Sequence, residues 1–402
     1  MTDPLTRAFA DEWGRIVASL VRVTGDWALA EDCAQDAFAA AAVAWPRDGV
    51  PDRPGAWLTT TARNRALDRL RRSATEARKL EEVVAMTHDD EQREPDDVPD
   101  DRLRLIFTCC HPALDLDARV ALTLRTLCGL TVEEIGAAFG ARESAMAKRL
   151  VRARRKIQLA GIPYRVPSGA PLPERLDGVL AVLLLLFTEG YAPSGGSQVV
   201  RPELSAEAIR LTRVLAALLR GEPEVGGLLA LELLQDSRRA ARTAPDGKLV
   251  PLGEQDRSLW DATRIAEGRA VLAAAERAPA PAGAYRLQAR IAAEHARGQE
   301  ADRTAIARHY AALAVVTPSP WVELARAVAV AEADGPDAGL ALLEPLRGDA
   351  RLGHQLPATE AELLRRAGRR EDAQRAYADA LRTVRNEAER AHLQRRLAEV
   401  GG

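Results

Sequence analysis

Apolar positions recur at helical spacing along most of this chain. Phe9, Trp13, Ile16, Val17 and Leu20 fall on one face of an N-terminal helix. A second helix is expected over Ala28–Ala44, carrying the polar run Glu31, Asp32, Gln35 and Asp36 on a wet face. From Trp57 to Arg72, Leu58, Ala62, Ala66 and Leu70 repeat every fourth position and point at a core. Arg63, Asn64, Arg65, Asp68, Arg69, Arg71 and Arg72 occupy most of the remaining surface of that helix. Leu130–Ile157 predicts two short helices about a tight turn. Thr131 suits an N-cap, Glu134 completes a capping box, and Phe139 ends the first helix before Gly140. In the second helix Met146, Leu150, Ala153 and Ile157 form a buried stripe, with Lys148, Arg152 and Arg155 on another face. A long apolar helix, Leu176–Phe187, has to be covered by the helices after it or by the helix-turn-helix domain.

Composition agrees with the pattern. Ala, Leu, Arg and Glu dominate, aromatic residues make up 4%, and strand signals are nearly absent, so the fold class is all-α. A chain of 402 residues has room for two to four domains. The longest apolar run, Val179–Phe187, is far shorter than the roughly twenty residues a bilayer requires. The N-terminus has acids and Pro4 where a signal peptide has a basic and apolar stretch. A cytoplasmic protein with no membrane partner is expected. Cys109-Cys110-His111 lacks the spacing and second histidine of a metal site and reads as a partly buried helix end. No metal and no cofactor are expected. The chain has no P-loop, HExxH or GxSxG motif, so it is not expected to be an enzyme.

Charge is distributed unevenly beneath a net −2. Arg142–Lys156 contains seven basic residues and one acid. A helix with one apolar face and that much positive charge, held by a helix-turn partner, suits a DNA major groove. Such a helix can also be only a solvated face, and the second basic helix, Trp57–Arg72, favours nucleic acid. Its Asn and Asp among arginines offer base-edge donors and acceptors beside phosphate clamps.

Residues 1–86 form a first helical domain in this reading. Residues 87–101, THDDEQREPDDVPDD, hold eight acids and two prolines and read as an acidic linker. Residues 102–162 form a second domain and residues 163–402 a helical extension, tetratricopeptide-like from about residue 302. In that part Gly368, Ala373, Tyr377 and Ala380 are spaced 5, 4 and 3. Ala338, Leu342 and Pro345, 35 residues earlier, suggest a degenerate copy. Such stacks are peptide-binding grooves or buttresses, so a protein or peptide partner of the extension is a further expectation.

The run AEDCAQDAF (residues 30–38), the helix WLTTTARNRALDRLRR (residues 57–72) and the helix-turn-helix of residues 130–157 together resemble a bacterial RNA polymerase sigma factor of the extracytoplasmic-function type. FTCCHPAL (107–114), LPERLDGVLAVLLLLFTEGY (172–191) and EQDRSLWD (254–261) resemble the subgroup with a long helical C-terminal extension. The resemblance implies core RNA polymerase and promoter DNA as partners. Glu31, Asp32, Gln35 and Asp36 would contact the polymerase clamp helices. Asn64 would line a pocket for a flipped base of the −10 element, with Asp68, Arg63, Arg65, Arg69, Arg71 and Arg72 around it. Ser144, Ala145, Ala147 and Lys148 would face −35 base edges, with Arg149, Arg152 and Arg154 on phosphates. The family commonly has Thr in place of Ala145 and Lys-Ser in place of Ala147-Lys148, so the promoter sequence read does not carry over. The resemblance also implies that the extension controls activity in cis. The alternatives are a helix-turn-helix regulator with a peptide-binding repeat, or a repeat scaffold that no longer binds DNA.

Overall fold

The computed structural model describes residues 4–73, 101–139, 141–167, 172–191, 202–244, 250–384 and 387–401. The expected linker lies outside them except for its last residue, and Gly140 also lies outside. Among the described residues every regular element is helical. The chain divides into two compact units, Met1–Leu218 and Leu219–Gly402.

In the first unit α1 (Pro4–Thr24), α2 (Trp27–Asp48) and α3 (Pro54–Ser73) pack on one another. Trp13, Ile16, Val17 and Leu20 are buried on α1, and Leu58, Ala62 and Ala66 on α3. Each large side chain so buried contributes roughly 2 kcal/mol. Asp26 starts α2 by accepting the Ala28 and Leu29 N–H groups. The helix runs past Ala44 through Pro46 to Asp48, where Gly49 ends it at φ 87°. Next come α4 (Asp101–Cys109), α5 (Leu116–Thr126), α6 (Val132–Ala138) and α7 (Glu143–Leu159). Asp101, the last acid of the expected linker, instead opens α4 and pairs with Arg22 and Arg104.

The apolar α8 (Leu172–Tyr191) packs against α9 (Pro202–Leu218) and also against α4 and α5. Both covers suggested by its hydrophobicity are therefore used. The seam joins two of the stretches that carry the resemblance, residues 107–114 and 172–191. Arg175 of α8 donates to the Phe107 carbonyl at 2.6 Å. Gly178 lets the helix come so close that a Cβ there would stand 3.2 Å from the Cys110 carbonyl. Arg119 gathers the carbonyls of Leu114 and Pro112 around the same corner.

The second unit is a succession of packed helices. Its first, α10 (Pro223–Asp236), is buried along most of its length against α11 (Ala262–Ala275) and α12 (Ala284–His295). The run 254–261 forms a corner. Asp256 caps the Ser258 N–H, Asp261 caps α11, and Trp260 lies beneath Arg238 and Arg257. Helical hairpins follow: α13 (Arg303–Val316), α14 (Pro320–Asp334), α15 (Pro336–Leu343), α16 (Gln355–Arg366), α17 (Arg370–Thr383) and α18 (Glu387–Gly401).

Ala373, Tyr377 and Ala380 are buried in one core cluster, as the spacing implied. Gly368 serves differently from the expectation, turning the chain between α16 and α17 at φ 76°. The register of the earlier copy is corrected. The buried positions there are Gly339, Leu343 and Leu346, not Ala338, Leu342 and Pro345. They precede Ala373, Tyr377 and Ala380 by 34 residues, the tetratricopeptide period. Matching Ala with Ala misled the alignment, because Gly339 takes the small-residue place. A Cβ at Gly339 would stand 2.6 Å from the Ala327 carbonyl oxygen.

Candidate polymerase and nucleic-acid interface

Helices α2 and α3 bring the two expected surfaces of the first domain together. Asp32 and Gln35 are exposed on α2, and Asp36 is half-buried beside them. Arg69 of α3 donates to Asp36 at 2.6 Å and stands 3.6 Å from Asp32; Arg65 is 3.4 Å from Asp36. The acidic helix thus positions two of the arginines expected at −10 DNA. These pairs are partly solvated and contribute at most about 1 kcal/mol each. Arg63, Asn64, Asp68, Arg71 and Arg72 stay exposed, with Arg71 3.7 Å from Asp68. The result is a face of hydrogen-bonding groups backed by the buried Leu58, Ala62 and Ala66.

The helix-turn-helix is α6 and α7 with α5 beneath. The capping box is complete: the Glu134 N–H donates to Thr131 Oγ1 at 3.1 Å, and the Thr131 N–H to Glu134 Oε2 at 2.7 Å. Met146, Leu150, Ala153 and Ile157 are all buried. Ser144, Ala145, Lys148 and Arg152 are exposed near the start and along the outer face of α7, with Ala147 half-buried beside them. Arg149 donates to Asp117 at 3.0 Å and covers the Phe139 ring, which holds its guanidinium in place. Arg154 does not face outward; its guanidinium meets Glu31.

Glu31 is where the wet-face reading of α2 fails. Its side chain is 5% exposed. One oxygen accepts from Arg125 Nε at 3.1 Å and the other from Arg154. Two potential site residues from opposite ends of the first unit are thereby spent on each other. No sequence signal marked Arg125, whose partner lies 94 positions away. The same seam includes the Tyr164 hydroxyl donating to the Ala18 carbonyl at 2.8 Å. Gly129, at φ 70°, presses so near α1 that a Cβ would come within 2.8 Å of the Phe9 ring.

Elsewhere the chemistry is quiet. Cys109 and Cys110 are buried at the end of α4; burial pushes the Cys110 thiol up to about 12 and the Cys109 thiol well up. His111 Nδ1 accepts the Ala113 N–H and closes that turn. Among the described residues no group of three or more His, Cys, Asp or Glu could hold a metal ion. No helix among them is long and apolar enough to cross a membrane. In the second unit a cavity of about 490 Å³ lies between α12, α13 and α14, lined in part by Arg257, His295, Arg303, Tyr310 and Glu332. Burial, with Arg238 and Arg257 nearby, lowers His295 to about 4 and keeps it neutral.

Comparison with known proteins supplies the family context. Residues 10–76 match the family described as Sigma-70 region 2, and residues 104–157 match Sigma-70, region 4. Residues 175–276 match a family of unknown function, DUF6596. An uncharacterized protein of Rhizobium meliloti is 39% identical over 391 residues, covering 95% of this chain and 92% of that protein. The chain is also similar to a protein of two Mycobacterium tuberculosis strains described as "Probable ECF RNA polymerase sigma factor SigI". That likeness is 28% identity over 203 residues, covering 47% of this chain and 69% of the relative. No solved structure matches.

Proposed function

The chain belongs to the extracytoplasmic-function branch of the sigma-70 family and carries a helical C-terminal extension, and from that premise we propose a division of labour among its residues. Asp32, Gln35 and Asp36 contact the clamp helices of core RNA polymerase, while Glu31 stays with Arg125 and Arg154 behind that face. Asn64 accepts a base flipped from the −10 element, which must recover a few kcal/mol of lost stacking. Arg63, Arg71 and Arg72 bind phosphates around it, while Arg65 and Arg69 divide their charge between DNA and α2. Ser144, Ala145, Ala147 and Lys148 face −35 base edges, with Arg149 and Arg152 on the backbone. The chain directs initiation and leaves catalysis to the polymerase, which sets its place of work in the cytoplasm.

The observation that carries this reading is the α2–α3 pair. An acidic face and an Asn-bearing basic face stand side by side on one rigid core, which an operator-binding regulator does not require. Co-purification with core polymerase, followed by transcription from a cognate promoter, tests it. Binding of operator DNA with no affinity for polymerase would favour the regulator instead.

We also propose that the extension acts in cis on this machinery. Support comes from the seam of α8 on α4 and α5, through Arg175, Gly178 and the Phe107 and Cys110 carbonyls. A chain ending at Leu218 keeps that seam and removes the second unit. Promoter output from this truncation should differ from full length by severalfold; equal output would leave the second unit to serve a separate partner.

A further inference from the structure

Residues 254–261, EQDRSLWD, carry part of the family resemblance, yet none of them is assigned to polymerase or DNA. The three acids of this run are engaged away from its arginine. Glu254 accepts from Arg396 at 2.7 Å, Asp256 holds the Ser258 N–H and hydroxyl, and Asp261 caps α11. Arg257 is left over. Its guanidinium stands 5.2 Å from the centre of the Trp260 ring and passes over Gly298, where a Cβ would collide with it. Among the described residues the guanidinium has no hydrogen-bond acceptor.

That cation lines the cavity of about 490 Å³ between α12, α13 and α14. Two further polar groups line it with no hydrogen-bond partner among the described residues: the His295 imidazole, at the end of α12, and the Tyr310 hydroxyl, on α13. Burial keeps both uncharged, and Arg238 and Arg257 add to the effect at His295. A neutral imidazole and a protonated phenol each keep one hydrogen to donate. Another part of the wall is aliphatic, formed by Ile306 of α13 with Ala325, Val328 and Ala329 of α14. Glu332, the one carboxylate among the described lining residues, is already shared by Arg303 and Arg366. The cavity therefore combines apolar surface, open donors and an uncompensated positive charge. Volumes in this range hold small organic molecules, with a few fixed polar groups setting their orientation.

We propose that this cavity is a receptor site for a small organic carboxylate with an apolar body, its charge on Arg257, His295 and Tyr310 and its body against Ile306 and Val328. The site goes beyond the sigma-factor reading and stands whether or not the chain binds polymerase. One unpaired cation with two neutral donors matches a single negative charge. A compact dianion such as phosphate would find only one free cation and would waste the aliphatic wall. A neutral ligand would leave the guanidinium without a counter-charge, and a cationic one would be repelled by it.

The test is calorimetric titration of the full chain at neutral pH with octanoate and 2-naphthoate, one flexible and one rigid. Their neutral counterparts, octanamide and 2-naphthamide, are titrated alongside. At least one acid should bind at a single site per chain, about tenfold more tightly than its amide, the worth of one charge-assisted hydrogen bond. Arg257→Gln should erase the acid's advantage over the amide, which a general loosening of the fold would not do selectively. Val328→Glu places a carboxylate on the wall at an exposed position and should weaken the acid by about tenfold or more, whether or not Arg257→Gln folds. Binding of neither acid overturns the site, as does equal binding of acid and amide by the parent. Acid binding unchanged in either folded variant places the carboxylate elsewhere on the chain and overturns it as well.

Discussion

Arg69 of α3 donates to Asp36 of α2 at 2.6 Å, joining the expected DNA-gripping helix to the expected polymerase-contacting one. The pair makes the two surfaces mechanically continuous, and it governs how the acids should be tested. Charge reversal at Asp36 would set a new cation against Arg65 and Arg69 and loosen the helix pair itself. Asp32→Asn with Asp36→Asn removes charge and keeps shape. Two rim contacts of about 0.5 kcal/mol each predict roughly fivefold weaker association with core polymerase, at unchanged helical content. Parent-like binding in a pull-down series would remove these acids from the polymerase surface.

Asn64 and Arg71 should separate by mechanism. Asn64→Ala removes directional hydrogen bonds and should slow open-complex formation at a mapped promoter by about tenfold or more, with little change in salt dependence. Arg71→Ala should weaken binding across sequences and reduce the salt slope by about one. Permanganate reactivity at the −10 element, measured across a salt series, distinguishes them. Normal opening by Asn64→Ala would discard the flipped-base role.

Gly339 should tolerate nothing larger than hydrogen. Alanine gains about 1 kcal/mol of helix propensity. The new methyl, however, meets the Ala327 carbonyl and the Ala331 side chain, both at 2.6 Å. Overpacking against backbone costs about 1–3 kcal/mol, so the clash should prevail. Urea unfolding of Gly339→Ala should show a lower midpoint for the second unit. A midpoint at or above that of the parent would mean that α14 and α15 can part without loss.

The second unit should lose stability in mild acid. Burial and neighbouring arginines lower His295 to about 4, and His309 and His392 shift the same way. The unfolded chain therefore takes up protons near pH 6.5, before the folded unit does. The stabilisation is fully present above that pH and is lost progressively as pH falls toward 4. For His295 the full loss amounts to about 3 kcal/mol. Thermal melts between pH 7.5 and 4.5 should show the decline, and His295→Gln should flatten it. An unchanged slope would place the acid sensitivity elsewhere.

The sequence by itself determined the all-helical class, the buried stripes of α1, α3 and α7, and the Thr131–Glu134 box. Each depends on residues within a few turns of one another, where helical period and capping chemistry are local rules. It also determined the family, through motifs that are continuous in the chain. Tertiary structure alone decided that Glu31 is buried, because its partners lie 94 and 123 positions away and nothing in a wet-looking helix face announces them. It likewise decided the register of the earlier repeat. Gly339 could be recognised as the small residue only once α14 was seen pressing on it. The same holds for FTCCHPAL, whose importance lies in the Phe107 and Cys110 carbonyls, and those belong to the backbone of any sequence. Periodicity tells which face of a helix seeks cover; only packing decides which distant group provides it, and whether a charge meets solvent or another charge.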